Sequence, residues 1–124
     1  MNEKTNIKQY NLEDRTASFA KSVIAFINKL PKTLTNTEIS KQLIRSAGSV
    51  GANYIEANEA LSKKDFALRI KICRKEAKES RYWLNLVTYS NDGETDRSGL
   101  VQEATELMKI FGAILEKTTT KDRV

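Results

Sequence analysis

The stretch from residue 62 to residue 90 constrains the fold most, because its side chains divide into three faces when it forms an α-helix. One face is apolar and recurs every three or four residues, as the buried stripe of a helix does. Its members are Phe66, Ile70, Cys73, Ala77, Ser80, Leu84 and Val87. One such stripe is enough for a helix of an isolated small bundle. A further apolar face therefore predicts an additional partner.

The second face of this helix is basic. Residues 62–83 carry eight Lys or Arg and three Asp or Glu, which accounts for the whole formal net charge of +5. An exposed helix stabilised by ion pairs mixes the two signs along one side, so this face predicts binding to the phosphates of RNA or DNA. The residues predicted to bind are Lys64, Lys71, Arg74, Lys75, Lys78 and Arg81. The alternative is a face that is only solvated.

The third face carries apolar side chains and one acid. Leaving one such apolar side chain in water forgoes about 1.5–3 kcal/mol of burial, and soluble monomers seldom expose several together. This face therefore predicts a subunit interface in a homo-oligomer. The predicted interface residues are Leu68, Ile72, Glu79, Trp83 and Leu86. The alternative is that neighbouring helices cover the same face within one subunit.

Three further helices are predicted from caps and apolar periodicity. Pro31 ends the first helix, Thr35 with Glu38 forms a capping box for the second, and Ser62 with Asp65 starts the third. The predicted helices cover residues 12–30, 36–58, 63–89 and 97–117. Short connections favour neighbours that pack antiparallel. We therefore expect residues 1–124 to form one all-α domain, an antiparallel up-down-up-down four-helix bundle that is homo-oligomeric.

The second predicted helix has an unusually small segment at residues 46–52. Each interior glycine, here Gly48 and Gly51, costs about 1 kcal/mol relative to alanine. Small side chains let another backbone approach closely, so the segment predicts a tight helix crossing, inside the subunit or between subunits. The alternative is a break in the helix near Gly48.

The composition argues against an enzyme. The chain has no histidine, which removes the commonest general base and the commonest metal ligand. The lone cysteine, Cys73, lies on the core stripe, where a thiol behaves as a small hydrophobe. No glycine-rich loop has the spacing of a phosphate-binding motif. We expect no catalytic residues and no cofactor.

Three acids, Glu56, Glu76 and Glu79, raise the question of a metal site within the bundle. Di-metal sites of helical bundles use Glu-x-x-His pairs, and the chain has no histidine. We therefore expect no bound metal. Buried or interfacial pairing of these acids is expected instead, with Arg45, Arg69 or Asn53 as partners.

Targeting signals are not recognisable in the sequence. Residues 1–16 lack the apolar core of a secretion signal, and no stretch approaches the ~18 apolar residues of a membrane span. We expect a cytoplasmic protein that does not contact the membrane.

Residues 45–86 resemble the four-helix-bundle family encoded in intervening sequences of bacterial 23S rRNA genes. The resemblance rests on Arg45-Ser46, on Gly51-Ala52-Asn53 with Glu56, on Ser62-x-x-Asp65-Phe66, and on Glu76-Ala77-x-Glu79-x-x-x-Trp83-Leu84. It implies an all-α bundle that assembles with itself, as a pentamer in relatives, and it does not imply an enzyme. The family includes the basic accessory protein of diversity-generating retroelements, which binds a reverse transcriptase and nucleic acid.

Residues and resemblance together predict a non-enzymatic homo-oligomer, with a pentamer expected. Its basic surface is expected to bind RNA or DNA without sequence preference, and a reverse transcriptase or other polymerase-like protein is a further expected partner. The alternative is an oligomeric scaffold or protein interaction module with no nucleic-acid role.

Overall fold

The protein is all-helical over the part of the chain that its structure describes. A computed structural model describes residues 11–123, and the side chains of residues 11–118. Its helices are α1 (Leu12–Ile27), α2 (Leu34–Asn58), α3 (Lys63–Leu84) and α4 (Glu94–Arg123), with a 3₁₀ turn at Asn91–Gly93 before α4. No strand occurs within residues 11–123. The predicted all-α class with four helices is confirmed.

Helix α1 begins as predicted and ends earlier than predicted. The Asn11 side chain accepts a hydrogen bond from the Asp14 amide at 3.2 Å and caps the helix. The predicted end was residue 30, but the chain leaves the α-helix after Ile27 because its next bonds tighten to three-residue steps. The Leu30 amide donates to the Ile27 carbonyl at 3.1 Å. Pro31 restricts the residue before it, so this turn replaces a last helical turn.

The predicted capping box of α2 is wrong by two residues. The cap is Thr33, whose hydroxyl accepts from the Asn36 amide at 3.1 Å, whereas Thr35 is exposed. Asn36, the predicted start, lies within the first turn and is buried. Its side-chain amide donates to the Pro31 and Thr88 carbonyls, each at 2.9 Å, and its oxygen accepts from the Thr88 amide at 3.0 Å. These bonds hold the turn and set where α2 begins.

The predicted end of α3 is also wrong, and the same Asn36 side chain accounts for it. Ser62 caps the helix as predicted, but the helix ends at Leu84, where residue 89 was predicted. The amide and carbonyl of Thr88 are both bonded to the Asn36 side chain, so they cannot serve a continuing helix. Val87 is nevertheless buried. It belongs to the core as predicted, although it lies beyond the helix.

Helix α4 is longer than the predicted 97–117 at both ends. At its start, Glu94 accepts hydrogen bonds from Arg97 at 3.0 Å and from Ser98 at 3.0 Å. Its acidic side chain also suits the positive end of the helix dipole. At the other end the helix runs to Arg123, beyond the predicted end at residue 117. No Gly or Pro occurs after Gly112 to stop it.

The helices pack around one continuous core. Contacts join α1 to α2, α2 to α3, α3 to α4, and α1 to α4. The buried apolar residues come from all four helices and include Phe19, Val23, Leu43, Val50, Leu107 and Phe111, together with Ile70 and Leu84 of the predicted α3 stripe. At one end, Asn58 of α2 donates to Glu13 of α1 at 2.9 Å. No helix of the described part is long and apolar enough to cross a membrane.

The small segment of α2 forms a tight crossing with α1 inside the subunit. The helix continues through Gly48 without a break, so the alternative of an interrupted helix is wrong. A Cβ atom on Gly51 would lie 2.9 Å from the Thr16 hydroxyl oxygen and 3.3 Å from the Thr16 Cβ. A Cβ on Gly48 would meet nothing within 4 Å. Gly51 is therefore the residue that the crossing requires.

We expect Gly51→Ala to destabilise the protein by about 1–2 kcal/mol, because overpacking at Thr16 outweighs the gain in helix propensity. The matched variant Gly48→Ala should instead raise stability by up to about 1 kcal/mol, since only the propensity changes. Denaturant unfolding of both variants checks this pair. A stabilisation of equal size in both would contradict the tight crossing.

Candidate nucleic-acid interface

The basic face of α3 is exposed over most of its length. Lys64, Lys71, Arg74, Lys75 and Lys78 are exposed, and none of these five forms an ion pair with a described side chain. We refer to these five residues as the basic face. The sixth predicted residue, Arg81, is half-buried and donates a hydrogen bond to the Thr105 hydroxyl of α4 at 3.2 Å. Arg81 therefore joins α3 to α4, and its role in binding nucleic acid stays a prediction.

Two acids of α3, Glu76 and Glu79, bind a cation of α2. Arg45 of α2 lies between Glu76, with Nη1 and Oε1 3.4 Å apart, and Glu79, to which its Nη2 donates. The Trp83 indole donates to the same Glu79 oxygen at 3.1 Å. Arg45 thus engages two of the three acids of α3, and the charge of Lys75 also contributes to the lowered pKa of Glu79. Arg69 donates to Asn53 of α2 at 3.1 Å.

The prediction of ion pairing is confirmed for two of the three acids. Glu76 and Glu79 both pair with Arg45, as expected. Glu56 is exposed and does not join them. Arg69 and Asn53, offered as partners of the acids, bond to each other. Among the described residues, no three Cys, Asp or Glu side chains converge as a possible metal site.

The pKa of Glu79 reflects its two hydrogen-bond donors, Trp83 and Arg45. Burial alone would raise the pKa of Glu79, but the hydrogen bonds from Trp83 and Arg45 outweigh it and hold the pKa below its usual value. A carboxylate with a lowered pKa in the folded state stabilises the protein above its unfolded-state pKa. That contribution is lost as the pH falls through the folded-state pKa.

We expect Glu79→Gln to lower the free energy of unfolding at pH 7 by roughly 1 kcal/mol, since charge-assisted bonds become neutral at a partly exposed site. The difference from the wild type should shrink as the pH falls below about 4.5, where the wild-type carboxylate begins to lose its advantage. Denaturant unfolding at pH 7 and pH 3 measures it. The matched control is Glu56→Gln, at an exposed site outside these contacts, which should change the free energy of unfolding at pH 7 by less than about 0.5 kcal/mol. If the free energy of unfolding differs between wild type and Glu79→Gln by the same amount at both pH values, the stabilising role of the ionised carboxylate is contradicted.

The structure divides the predicted interface residues into two groups. Leu68 and Leu86 are 54% and 46% exposed, respectively. Ile72, Glu79 and Trp83 are half-buried, and Trp83 packs against the core of its own subunit. The alternative of burial within one subunit therefore holds in part. The predicted oligomer contact at Leu68 and Leu86 stays a prediction.

Two exposed isoleucines on α2 differ from what the sequence indicated. Ile44 and Ile55 lie on the flank of the apolar side of this helix, where an apolar residue is expected to be covered, yet each is 45% exposed. This apolar side is wider than the strip that α1 and α3 cover. Periodicity shows that such residues share a side, and only the neighbouring helices decide how much of that side is covered.

Cys73 occupies the core as predicted. Its thiol donates to the Val50 carbonyl at a distance of 3.4 Å, and the side chain is fully buried. Burial raises the pKa of the thiol to about 12. The reactive thiolate is therefore not formed near neutral pH.

The comparisons with known proteins agree with the resemblance carried by residues 45–86. The family model described as 23S rRNA-intervening sequence protein matches residues 8–113. A 1.70 Å crystal structure from Bacteroides thetaiotaomicron VPI-5482, described as a protein with unknown function from the S23 ribosomal protein family, is similar with a TM-score of 0.69 and 30% identity. The match covers 83% of this chain and 96% of that chain. Among curated proteins, none matches this chain.

The family match extends well beyond the segment that carried the resemblance, and it includes α1, α2, α3 and most of α4. The described helices and the similar crystal structure support the same assignment. The chain belongs to the family of 23S rRNA-intervening sequence proteins.

Proposed function

We propose that this chain is a non-enzymatic, cytoplasmic helical-bundle protein that assembles with itself and binds RNA or DNA through the basic face of α3. Recognition is of phosphate and is independent of base sequence. The observation that carries this proposal is the set of five exposed cations on one helix that form no ion pair with a described side chain. Unneutralised Lys and Arg side chains along one surface are what a polyanion binds through the release of its counterions.

The proposed subunit is an antiparallel up-down-up-down four-helix bundle. Hydrogen bonds join the end of α2 to the start of α1, at Asn58 and Glu13. They also join the start of α2 to the segment after α3, at Asn36 and Thr88. Consecutive helices of opposite direction bring such ends together.

Self-assembly is proposed through the exposed apolar side chains Leu68 and Leu86. Burying one such side chain fully is worth about 1.5–3 kcal/mol. A pentamer is the assembly that the family resemblance implies. Repetition of the basic face around such a ring would join weak phosphate contacts into one multivalent site. A reverse transcriptase or other polymerase-like protein is a further partner that the resemblance implies.

A salt titration of binding to a labelled single-stranded RNA tests the proposal. We expect the affinity to fall as salt rises, with the logarithmic slope near −0.7 for each phosphate neutralised. Light scattering of the same sample measures the subunit number. Absence of binding at low salt would refute the nucleic-acid role and favour an oligomeric scaffold. A monodisperse monomer would refute self-assembly.

A further inference from the structure

An exposed tyrosine follows the lysines of the basic face. Tyr82 is 58% exposed and lies four, seven and eleven residues after Lys78, Lys75 and Lys71 on α3. At 1.5 Å per residue, these positions lie about 6, 10 and 16 Å along the helix axis from the tyrosine. Spacings of three and four residues place all four side chains along one side of the helix. An aromatic ring is thus placed at the end of a row of cations.

The ring of Tyr82 packs on one side against Trp83, whose own position is fixed by other contacts. It contacts the Trp83 ring edge-on, with centroids 5.0 Å apart and planes at 68°. Trp83 is fixed by its bond to Glu79 and by packing against the core. A surface ring that packs against an immobile side chain loses less conformational entropy when a ligand stacks on it than a freely rotating ring does.

The other tyrosine near this end of α3 is differently placed. The guanidinium of Arg97 lies over the Tyr89 ring, 4.9 Å from its centroid. That ring face is already occupied by a cation. Within the described residues, the Tyr82 ring carries no such cation, so Tyr82 is the better placed of these two tyrosines to accept a ligand.

We propose that Tyr82 is a stacking platform for an unpaired base, and that the basic face therefore binds single-stranded RNA or DNA in preference to a duplex. This inference rests on the proposed nucleic-acid function and adds the class of ligand to it. In a duplex the faces of the bases are covered by their neighbours, whereas a single strand can offer a base to an aromatic side chain. The lysines hold the phosphates of the same strand, and the base turns onto Tyr82.

Charge complementarity favours a nucleic acid over a second copy of this chain at Tyr82. The centres of protein interfaces are depleted in charged residues, and burying Lys75 and Lys78 without acidic partners would be costly. A single strand supplies a phosphate for each ammonium group and an aromatic base for the ring. The ligand therefore suits both the charge and the apolar character of this part of α3.

The test compares three labelled ligands of equal length at one salt concentration: oligouridylate, an abasic sugar-phosphate strand, and a blunt RNA duplex. The wild type and Tyr82→Phe should bind oligouridylate roughly 5- to 150-fold more tightly than the abasic strand, the range expected for one stacked base. Tyr82→Leu should lose this preference and still bind the abasic strand as the wild type does. Trp83 is the chain's one tryptophan. Its fluorescence emission should change when oligouridylate binds to the wild type or to Tyr82→Phe, and it should not change with Tyr82→Leu.

The outcomes separate this inference from the proposed function. If the wild type binds none of the three ligands, the nucleic-acid role itself is refuted. If it binds all three equally and Tyr82→Leu changes nothing, nucleic-acid binding stands and the stacking platform is refuted. If Tyr82→Leu changes the subunit number in light scattering, Tyr82 belongs to a subunit contact and the inference is also overturned.

Discussion

Reversal of four cations on α3 is expected to abolish RNA binding. The variant carries glutamate at Lys71, Arg74, Lys75 and Lys78, all exposed and outside every ion pair found among the described residues. Even in water, a pair of charges at contact distance is worth about 1 kcal/mol, and each reversal replaces that attraction with a repulsion. Four reversals should therefore weaken binding by a hundredfold or more. Titration with labelled RNA at low salt measures the loss.

The matched control places the same four charge reversals elsewhere. Lys21, Lys32, Lys109 and Lys117 are exposed and lie outside α3. Both variants start from the net charge of +5 and lose the same amount of positive charge. The control should bind far better than the α3 variant, because short-range contacts and not net charge hold the strand. Equal loss in both variants would show that binding follows net charge and would contradict the assignment to α3. Circular dichroism and light scattering establish that both variants fold and assemble like the wild type.

Replacing Asn36 by alanine is expected to lower the free energy of unfolding by roughly 3 kcal/mol, because three hydrogen bonds to Pro31 and Thr88 are lost and their backbone partners are left in a partly buried site. The melting temperature should fall by about 10 °C for a chain of this size. Thermal and denaturant unfolding measure both quantities. The side chain is 2% exposed and fits its site fully, so a longer glutamine should not restore the stability.

Asn58→Ala provides the matched control on the same helix. The Asn58 side chain is exposed and makes one hydrogen bond, to Glu13. Surface changes of this kind usually alter stability by less than about 0.5 kcal/mol. Equal losses at Asn36 and Asn58 would contradict the view that Asn36 fastens the turn before α2 to the segment after α3.

Much of the fold could be predicted because helix periodicity is local. The stripe from Phe66 to Val87 was expected to face the core, and all of its members are buried except Phe66, which is half-buried. The cap Ser62 was also correct. The errors lie at helix ends, where a short-range pattern competes with a long-range bond. Thr35 matched a capping box, but the helix begins at Leu34 with Thr33 as its cap, next to the long-range bonds of Asn36.

The candidate site shows the same division between local and long-range effects. Its basic residues could be assigned to one side of α3 from spacing alone. The sequence offered Arg45, Arg69 and Asn53 as partners of the acids, and spacing could not show that Arg45 is the one that binds Glu76 and Glu79. It also could not show that Arg81 bonds to Thr105. These contacts decide which charges of α3 remain available to a ligand.

By itself, the sequence determined four helices, the core side of α3 and the concentration of net charge on that helix, because each depends on residue identity and on the fixed turn of an α-helix. The tertiary structure decided where α2 starts, where α3 stops, and how Ile72, Glu79 and Trp83 are separated from the exposed Leu68 and Leu86. The physical reason is that burial and pairing are set by neighbours distant in the chain. Asn36 reaches Thr88 and Arg45 reaches Glu79 only after the helices have packed.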